Sequence, residues 1–105
     1  MKDITDINVR ITLANYIKSG QTIVVDFYAP WCAPCRALAP VLEKLTGVIV
    51  LKINGDNADD AVQAQVNSIM TQFQVTAYPT IIIFKDGEFV KKIVGANINA
   101  IKAAL

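Results

Sequence analysis

Short runs of β-branched and aromatic residues alternate with segments of helical period along this chain, and that alternation limits the folds open to it. Thr22–Tyr28, Val48–Ile53 and Ile81–Phe84 each read as a buried strand. Between the first two, a helix is expected from about Cys32 to Leu45, with Leu38, Val41, Leu42 and Leu45 as its buried stripe and Pro40 as a kink. Between the next two, Val62, Val66, Ile69, Met70 and Phe73 fall at helical spacing behind a cap at Asn57 or Asp59. Ahead of these lie a short strand, Lys2–Thr5, and a helix capped by Asp6 that runs to about Lys18. Ile7, Ile11 and Tyr16 or Ile17 are expected on its inner face, and Gly20 ends it. Beyond them, Lys85-Asp86-Gly87-Glu88 is a tight hairpin turn into a strand, Phe89–Val94, which Gly95 ends. Asn97 then caps a last helix with Ile98, Ile101 and Leu105 inward. The order βαβαβαββα predicts an α/β domain: a mixed central sheet, parallel first and closed by an antiparallel hairpin, with helices on both faces.

The 105 residues suit one domain, residues 1–105, and at 53% hydrophobic they can fill one core without metal or structural disulfides. A net charge of +1 gives no long-range field for a polyanion, and no Lys/Arg cluster suggests nucleic-acid binding. The pair Lys91-Lys92 reads as a solvated strand end. The longest uncharged stretch, Ala61 to Phe84, is interrupted by Gln, Asn, Ser, Thr and Pro, so no membrane span is expected. Met1 to Asp6 lacks the apolar core of a secretory signal, which leads to the expectation of a reducing, cytoplasmic setting. Histidine is absent, so proton transfer falls to Asp, Glu, Lys, Tyr, Cys or water.

Both cysteines lie in one stretch, Val24-Val25-Asp26-Phe27-Tyr28-Ala29-Pro30-Trp31-Cys32-Ala33-Pro34-Cys35. Pro30 breaks the strand, and a helix starts near Cys32. A Cys-x-x-Cys at a helix start sets the first sulfur over unpaired N–H groups and the positive end of the helix dipole. Both favour thiolate, the nucleophilic form. The second sulfur, one turn in, is close enough to close a disulfide. Pro34 fits the first turn, where no donor is needed, and stiffens the loop. Half a zinc site and two incidental thiols are the alternatives. Zinc needs four ligands, and the chain offers no second pair and no His. The same stretch carries one acid, Asp26, where a hydrophobe is expected.

The sequence resembles the thioredoxin family along nearly its whole length. Val25-Asp26-Phe27, Trp31-Cys32-Ala33-Pro34-Cys35, Pro40, Lys52, Tyr78-Pro79-Thr80, the Phe84–Glu88 hairpin and Val94-Gly95 carry the resemblance, in matching order. It implies the thioredoxin fold and reduction of protein disulfides by dithiol–disulfide exchange, with no bound cofactor other than a redox-active Cys32–Cys35 disulfide. Cys32 would be the exposed nucleophile and Cys35 the more buried resolving thiol. Trp31 would shield the site and line the client groove. Pro79 would be cis and face the sulfurs, and the Tyr78 carbonyl and Pro79 ring would align an extended client. Ala33, Pro34 and Gly95 would complete the groove and tune the pair. In the strand, Val24, Asp26 and Tyr28 share one face. Asp26 would lie beneath the thiols in apolar surroundings, its pKa raised by desolvation, and accept the Cys35 proton. Lys52, on the neighbouring strand, would moderate that shift. The expected partners are disulfide-bearing proteins and a reductase dependent on NADPH or ferredoxin, acting on a monomer.

Two features depart from the family pattern. Ala33 replaces the usual Gly, and Tyr78 before Pro79 is similar to disulfide-isomerase domains. Those domains carry His between the cysteines, where this chain has Pro34, so a reductant is favoured over an oxidising or isomerising domain. The helix after Cys35 reads as shortened and the Asn57–Phe73 segment as lengthened. A redox-independent partner subunit is the third reading, with that longer helix as its feature.

Overall fold

The computed structural model describes all of residues 1–105. Its elements run β1 (Lys2–Asp3), α1 (Val9–Lys18), β2 (Ile23–Tyr28), α2 (Ala33–Glu43), β3 (Ile49–Asn54), α3 (Asp60–Gln72), β4 (Thr80–Lys85), β5 (Glu88–Val94) and α4 (Ile98–Ala103). The five strands form one sheet in the order β1-β3-β2-β4-β5. β1 and β2 both pair parallel with β3, while β2–β4 and β4–β5 are antiparallel. The mixed sheet and the nine-element order are those expected from the sequence.

Alternation along the strands divides the core in two. Val25 and Phe27 of β2 join Val9 and Leu13 of α1 and Val62, Val66 and Ile69 of α3 on one face. Val24 of β2 joins Leu38 and Leu42 of α2 and Ile101 of α4 on the other. β2 is central and buried along almost its whole length, so no residue in it but the last reaches water. At the β4–β5 turn, Asp86 and Gly87 both have positive φ, 54° and 80°. That is the backbone a two-residue hairpin of right-handed twist requires.

The inner face of α1 differs from the expectation. Ile7 and Ile11 are 55% and 61% exposed, and Val9 and Leu13 are buried instead. The helix begins at Val9, so the inward stripe runs Val9, Leu13, Tyr16, Ile17 and places Ile11 on the opposite side. Asp6 does not cap it: Asn8 is the N-cap residue, and the Asn8 N–H donates to Asp6 Oδ1 at 2.8 Å. In α2, Val41 is exposed and the helix stops at Glu43, leaving Leu38 and Leu42 as the stripe, with Leu45 packing after the helix end. Of the two cap candidates for α3, Asp59 takes the role, accepting from the N–H groups of Ala61 and Val62. Ile101 alone of the expected α4 residues is fully buried; Ile98 and Leu105 pack at its edge. Lys92 is more than a solvated strand end, because its ammonium donates to the Phe73 and Gln74 carbonyls where α3 ends.

Candidate active site

β2 ends at Tyr28, and the Ala29-Pro30-Trp31 turn beyond its carboxyl end leads into α2. The Cys32 N–H donates to the Ala29 carbonyl at 3.1 Å, which fixes that turn. Cys32 is the N-cap of α2, with extended φ and ψ of −84° and 108°. Its sulfur accepts the Cys35 N–H at 3.2 Å, the bond an Asp or Ser oxygen makes at an ordinary cap. Pro34 falls within the first turn, where its missing donor costs nothing. Cys32 and Cys35 are joined as a disulfide, with Cα atoms 5.3 Å apart. No group of three or more Cys, Asp or Glu side chains is gathered closely enough to hold a metal ion.

Cys32 was expected to be exposed; in the disulfide it is only 6% exposed, against 3% for Cys35. The two sulfurs pack with Ala29, Tyr28 and Tyr78, which cover them from the sides. Trp31, by contrast, is 65% exposed. Its indole N–H donates to Asp56 Oδ2 at 2.7 Å, and its ring meets Tyr78 edge-on with centroids 5.8 Å apart. The Tyr78–Pro79 peptide bond is cis, and Pro79 is buried. The Pro79 carbonyl accepts the Gly95 N–H at 2.8 Å, and Gly95 has φ +96°. Tyr78 thus connects the disulfide cluster to Trp31 and, through Pro79, to Gly95, whereas Ala33 is exposed in the first turn.

Asp26 is fully buried, and neither carboxylate oxygen has a hydrogen-bond partner. It shares the α2 side of β2 with Val24, whose cluster includes Leu38 and Leu42, so it sits under the helix that carries the cysteines. Burial pushes its pKa from 3.8 up to about 7; the Lys52 charge pulls it down and the Asp3 charge adds to the rise. Lys52 pairs directly with Asp26 across the β2–β3 ladder. Its ammonium lies over the Tyr28 ring, 4.2 Å from the centroid. A cleft of about 360 Å³ opens beside the disulfide, between α2 and the ends of β2 and β3, and Cys35, Tyr28, Lys52, Arg36 and Glu43 line it.

Three residues of this neighbourhood escaped the sequence reading. Asp56 holds the Trp31 indole, Asp3 holds the Tyr28 hydroxyl, and Gly55 leaves room for Tyr78. A Cβ at Gly55 would overlap the Tyr78 hydroxyl and ring. Tyr78 reaches across Gly55 to Met70, its hydroxyl 3.6 Å from the thioether sulfur. Met70 itself packs against the core, as its spacing predicts. No local pattern announces such contacts, since Asp56 and Trp31 lie 25 residues apart and only the sheet brings them together.

The family model described as Thioredoxin matches residues 9–105. The chain belongs to the thioredoxin family. It is 42% identical over 93 residues to a thioredoxin of Staphylococcus haemolyticus, covering 83% of each chain. It is 37% identical over 98 residues to a thioredoxin of Mycobacterium tuberculosis, covering 85% of this chain and 78% of that one. The solved thioredoxin of Fasciola hepatica superposes with a TM-score of 0.75 at 32% identity, covering 98% of this chain and 94% of that one. With this membership and a closed Cys-x-x-Cys disulfide, the chain is a thiol–disulfide oxidoreductase that reduces protein disulfides and needs no further cofactor. As a member of the thioredoxin family it has disulfide-bearing substrates and a reductase partner.

Proposed function

We propose that the chain is a general protein-disulfide reductant in which Cys32 attacks and Cys35 resolves. The observation that carries this order is the capping bond. Cys32 Sγ accepts the Cys35 N–H at the positive end of α2, and this favours its thiolate. The Cys32 thiolate attacks one sulfur of a client disulfide, and the other client sulfur leaves as thiolate. Cys35 then transfers its proton to the Asp26 carboxylate and attacks Cys32 Sγ. The Cys32–Cys35 disulfide closes and the second client sulfur leaves. Two electrons have passed to the client, and a reductase dithiol returns them.

Asp26 suits proton acceptance because its pKa, about 7, is matched to neutral pH. Trp31 and Tyr78 line the client groove, and the Tyr78 carbonyl and Pro79 ring align an extended client. The reductase is of the NADPH- or ferredoxin-dependent kind, the working form is a monomer, and the setting is the cytoplasm. Family membership supports the reductase partner, Pro34 in the place of the isomerase-type His supports a reductant, and the apolar-poor Met1–Asp6 segment supports the cytoplasmic setting.

Equilibration of the Cys32–Cys35 pair with defined glutathione or dithiothreitol buffers tests the direction. A potential of about −270 mV, the figure known for thioredoxin itself, is expected. A value of about −180 mV or higher, the range of disulfide isomerases, would overturn it and make Tyr78, not Pro34, the informative residue.

A further inference from the structure

A row of three charged residues crosses the sheet next to the disulfide. Asp3 of β1 pairs with Lys52 of β3, and Lys52 pairs with Asp26 of β2. Residues paired directly across strands point to the same face, so all three side chains stand on the α2 side. One carboxylate is exposed and one is fully buried. An ammonium between two such groups is drawn to the exposed one. That carboxylate stays ionised without a desolvation cost, whereas burial disfavours the charge of the other.

The structure holds these groups in another arrangement. Tyr28 lies two residues beyond Asp26 on the same face of β2, and its phenol crosses β3 toward β1. The Tyr28 hydroxyl donates to the Asp3 carboxylate, 2.9 Å from Oδ2 and 3.1 Å from Oδ1. The same ring lies under the Lys52 ammonium, 4.2 Å from it. One side chain thus occupies both groups that would otherwise pair. The hydroxyl end takes the anion and the ring face takes the cation. Phenylalanine at residue 28 would offer the ring to the cation and no donor to the anion.

We propose that Asp3 and Tyr28 are positioning residues for the exchange reaction, holding the Lys52 ammonium toward Asp26 and keeping it from pairing with Asp3. The role rests on the reading of Asp26 as proton acceptor for Cys35. It adds a requirement that the two ends of one hydrogen bond act on Asp26 in opposite directions. Removing the Tyr28 hydroxyl frees Asp3 to take Lys52, and Asp26 loses its cation. Removing the Asp3 charge leaves Lys52 only Asp26 to face and takes a nearby anion away. If the hydrogen bond merely tied β1 to the sheet, Asp3→Asn would still lower the Asp26 midpoint by loss of a nearby charge, but Tyr28→Phe would leave it in place, so the Tyr28 arm decides.

The groups that face Asp26 are few. β3 contributes Lys52, β1 contributes Asp3, β2 contributes Tyr28, and β4 places the apolar Ile81 opposite. On α2 stand the Cys35 sulfur and, along the cleft, Glu43 and Arg36, whose guanidinium is tied to the Pro30 carbonyl at 2.9 Å. None of these α2 groups changes in the variants below.

The test is a carbon-13 NMR titration of the Asp26 carboxyl in the oxidised full chain, where no cysteine titrates. Asp3→Asn should lower the Asp26 midpoint and Tyr28→Phe should raise it, each by about half a pH unit for charges several ångströms apart in a partly solvated cleft. The double variant should behave as Asp3→Asn alone, because no anion is left to be released. In a Lys52→Met background the effect of Tyr28→Phe should vanish. An Asp26 midpoint that Tyr28→Phe leaves unmoved or lowers, or that Asp3→Asn fails to lower, would overturn the proposal. The pH profile of reduction of a disulfide-bearing peptide is measured alongside. Midpoints that move as expected while the rate profile stays fixed would support the arrangement and instead sink the reading of Asp26 as proton acceptor.

Discussion

Replacing Asp26 by Asn should make the protein more stable at alkaline pH and slower as a reductant. Asp26 has a folded pKa of about 7 against 3.8 for the free group, raised chiefly by burial. A carboxyl whose pKa is raised on folding stabilises the fold only while it stays protonated. Below pH 3.8 that contribution is fully present. Between about pH 4 and 7 the unfolded chain releases the proton and the folded chain keeps it, so stability falls as pH rises. At 1.36 kcal/mol per pKa unit, the loss above pH 7 reaches about 4 kcal/mol, a large part of what a domain of this size has to lose. Asn has nearly the same shape and no proton to release, and its amide replaces a neutral carboxyl that already lacks partners. Urea unfolding of the oxidised wild type and Asp26→Asn, from pH 4 to 8.5, reads the difference directly. The two should agree within about 1 kcal/mol at pH 4, with Asn ahead by about 4 kcal/mol at pH 8.5. A difference that stays flat across that range would refute the claim that burial raises the Asp26 pKa in the folded chain. In the same variant the resolving step should slow by about a hundredfold, the loss expected when a positioned proton acceptor is removed.

Cys35→Ser should accumulate a one-to-one mixed disulfide with a client through Cys32, seen by mass spectrometry under non-reducing conditions and released by dithiothreitol; Cys32→Ser should trap none, and the reverse pattern would exchange the two roles. Gly55→Ala should cost about 1–3 kcal/mol, the usual range for overpacking, because its Cβ would overlap Tyr78. Adding Tyr78→Val should recover most of that loss in urea unfolding, since two residues in contact are not additive; no recovery would refute overlap with Tyr78 as its cause.

Much of this molecule was legible before the structure. The three apolar runs, their spacing and the Asp86-Gly87 turn led to the element order and the mixed sheet, because strand and helix periods are local properties of sequence. Cys32, Pro34 and Cys35 at a helix start implied the capping geometry for the same reason: a helix N-terminus needs acceptors wherever it occurs. The face of α1 was misread, because Ile7, Val9, Ile11 and Leu13 fit two helical stripes and a start two residues later selects the other one. In the same way Val41 fits the α2 pattern but lies on the outer side once the helix docks on the sheet.

What the sequence by itself determined, then, is the set of elements, the position of the thiols at the start of α2 and the oddity of an acid inside an apolar strand. Whether that acid is buried, and what surrounds it, depended on tertiary structure. Asp3, Asp26 and Lys52 are far apart along the chain and adjacent only because β1 and β2 both pair with β3. Tyr28 meets Asp3, Trp31 meets Asp56 and Tyr78 fills the space over Gly55 for the same reason. Periodicity acts through neighbours in the chain, whereas desolvation and charge act through neighbours in space, so the protonation chemistry of the site is set only when the sheet closes.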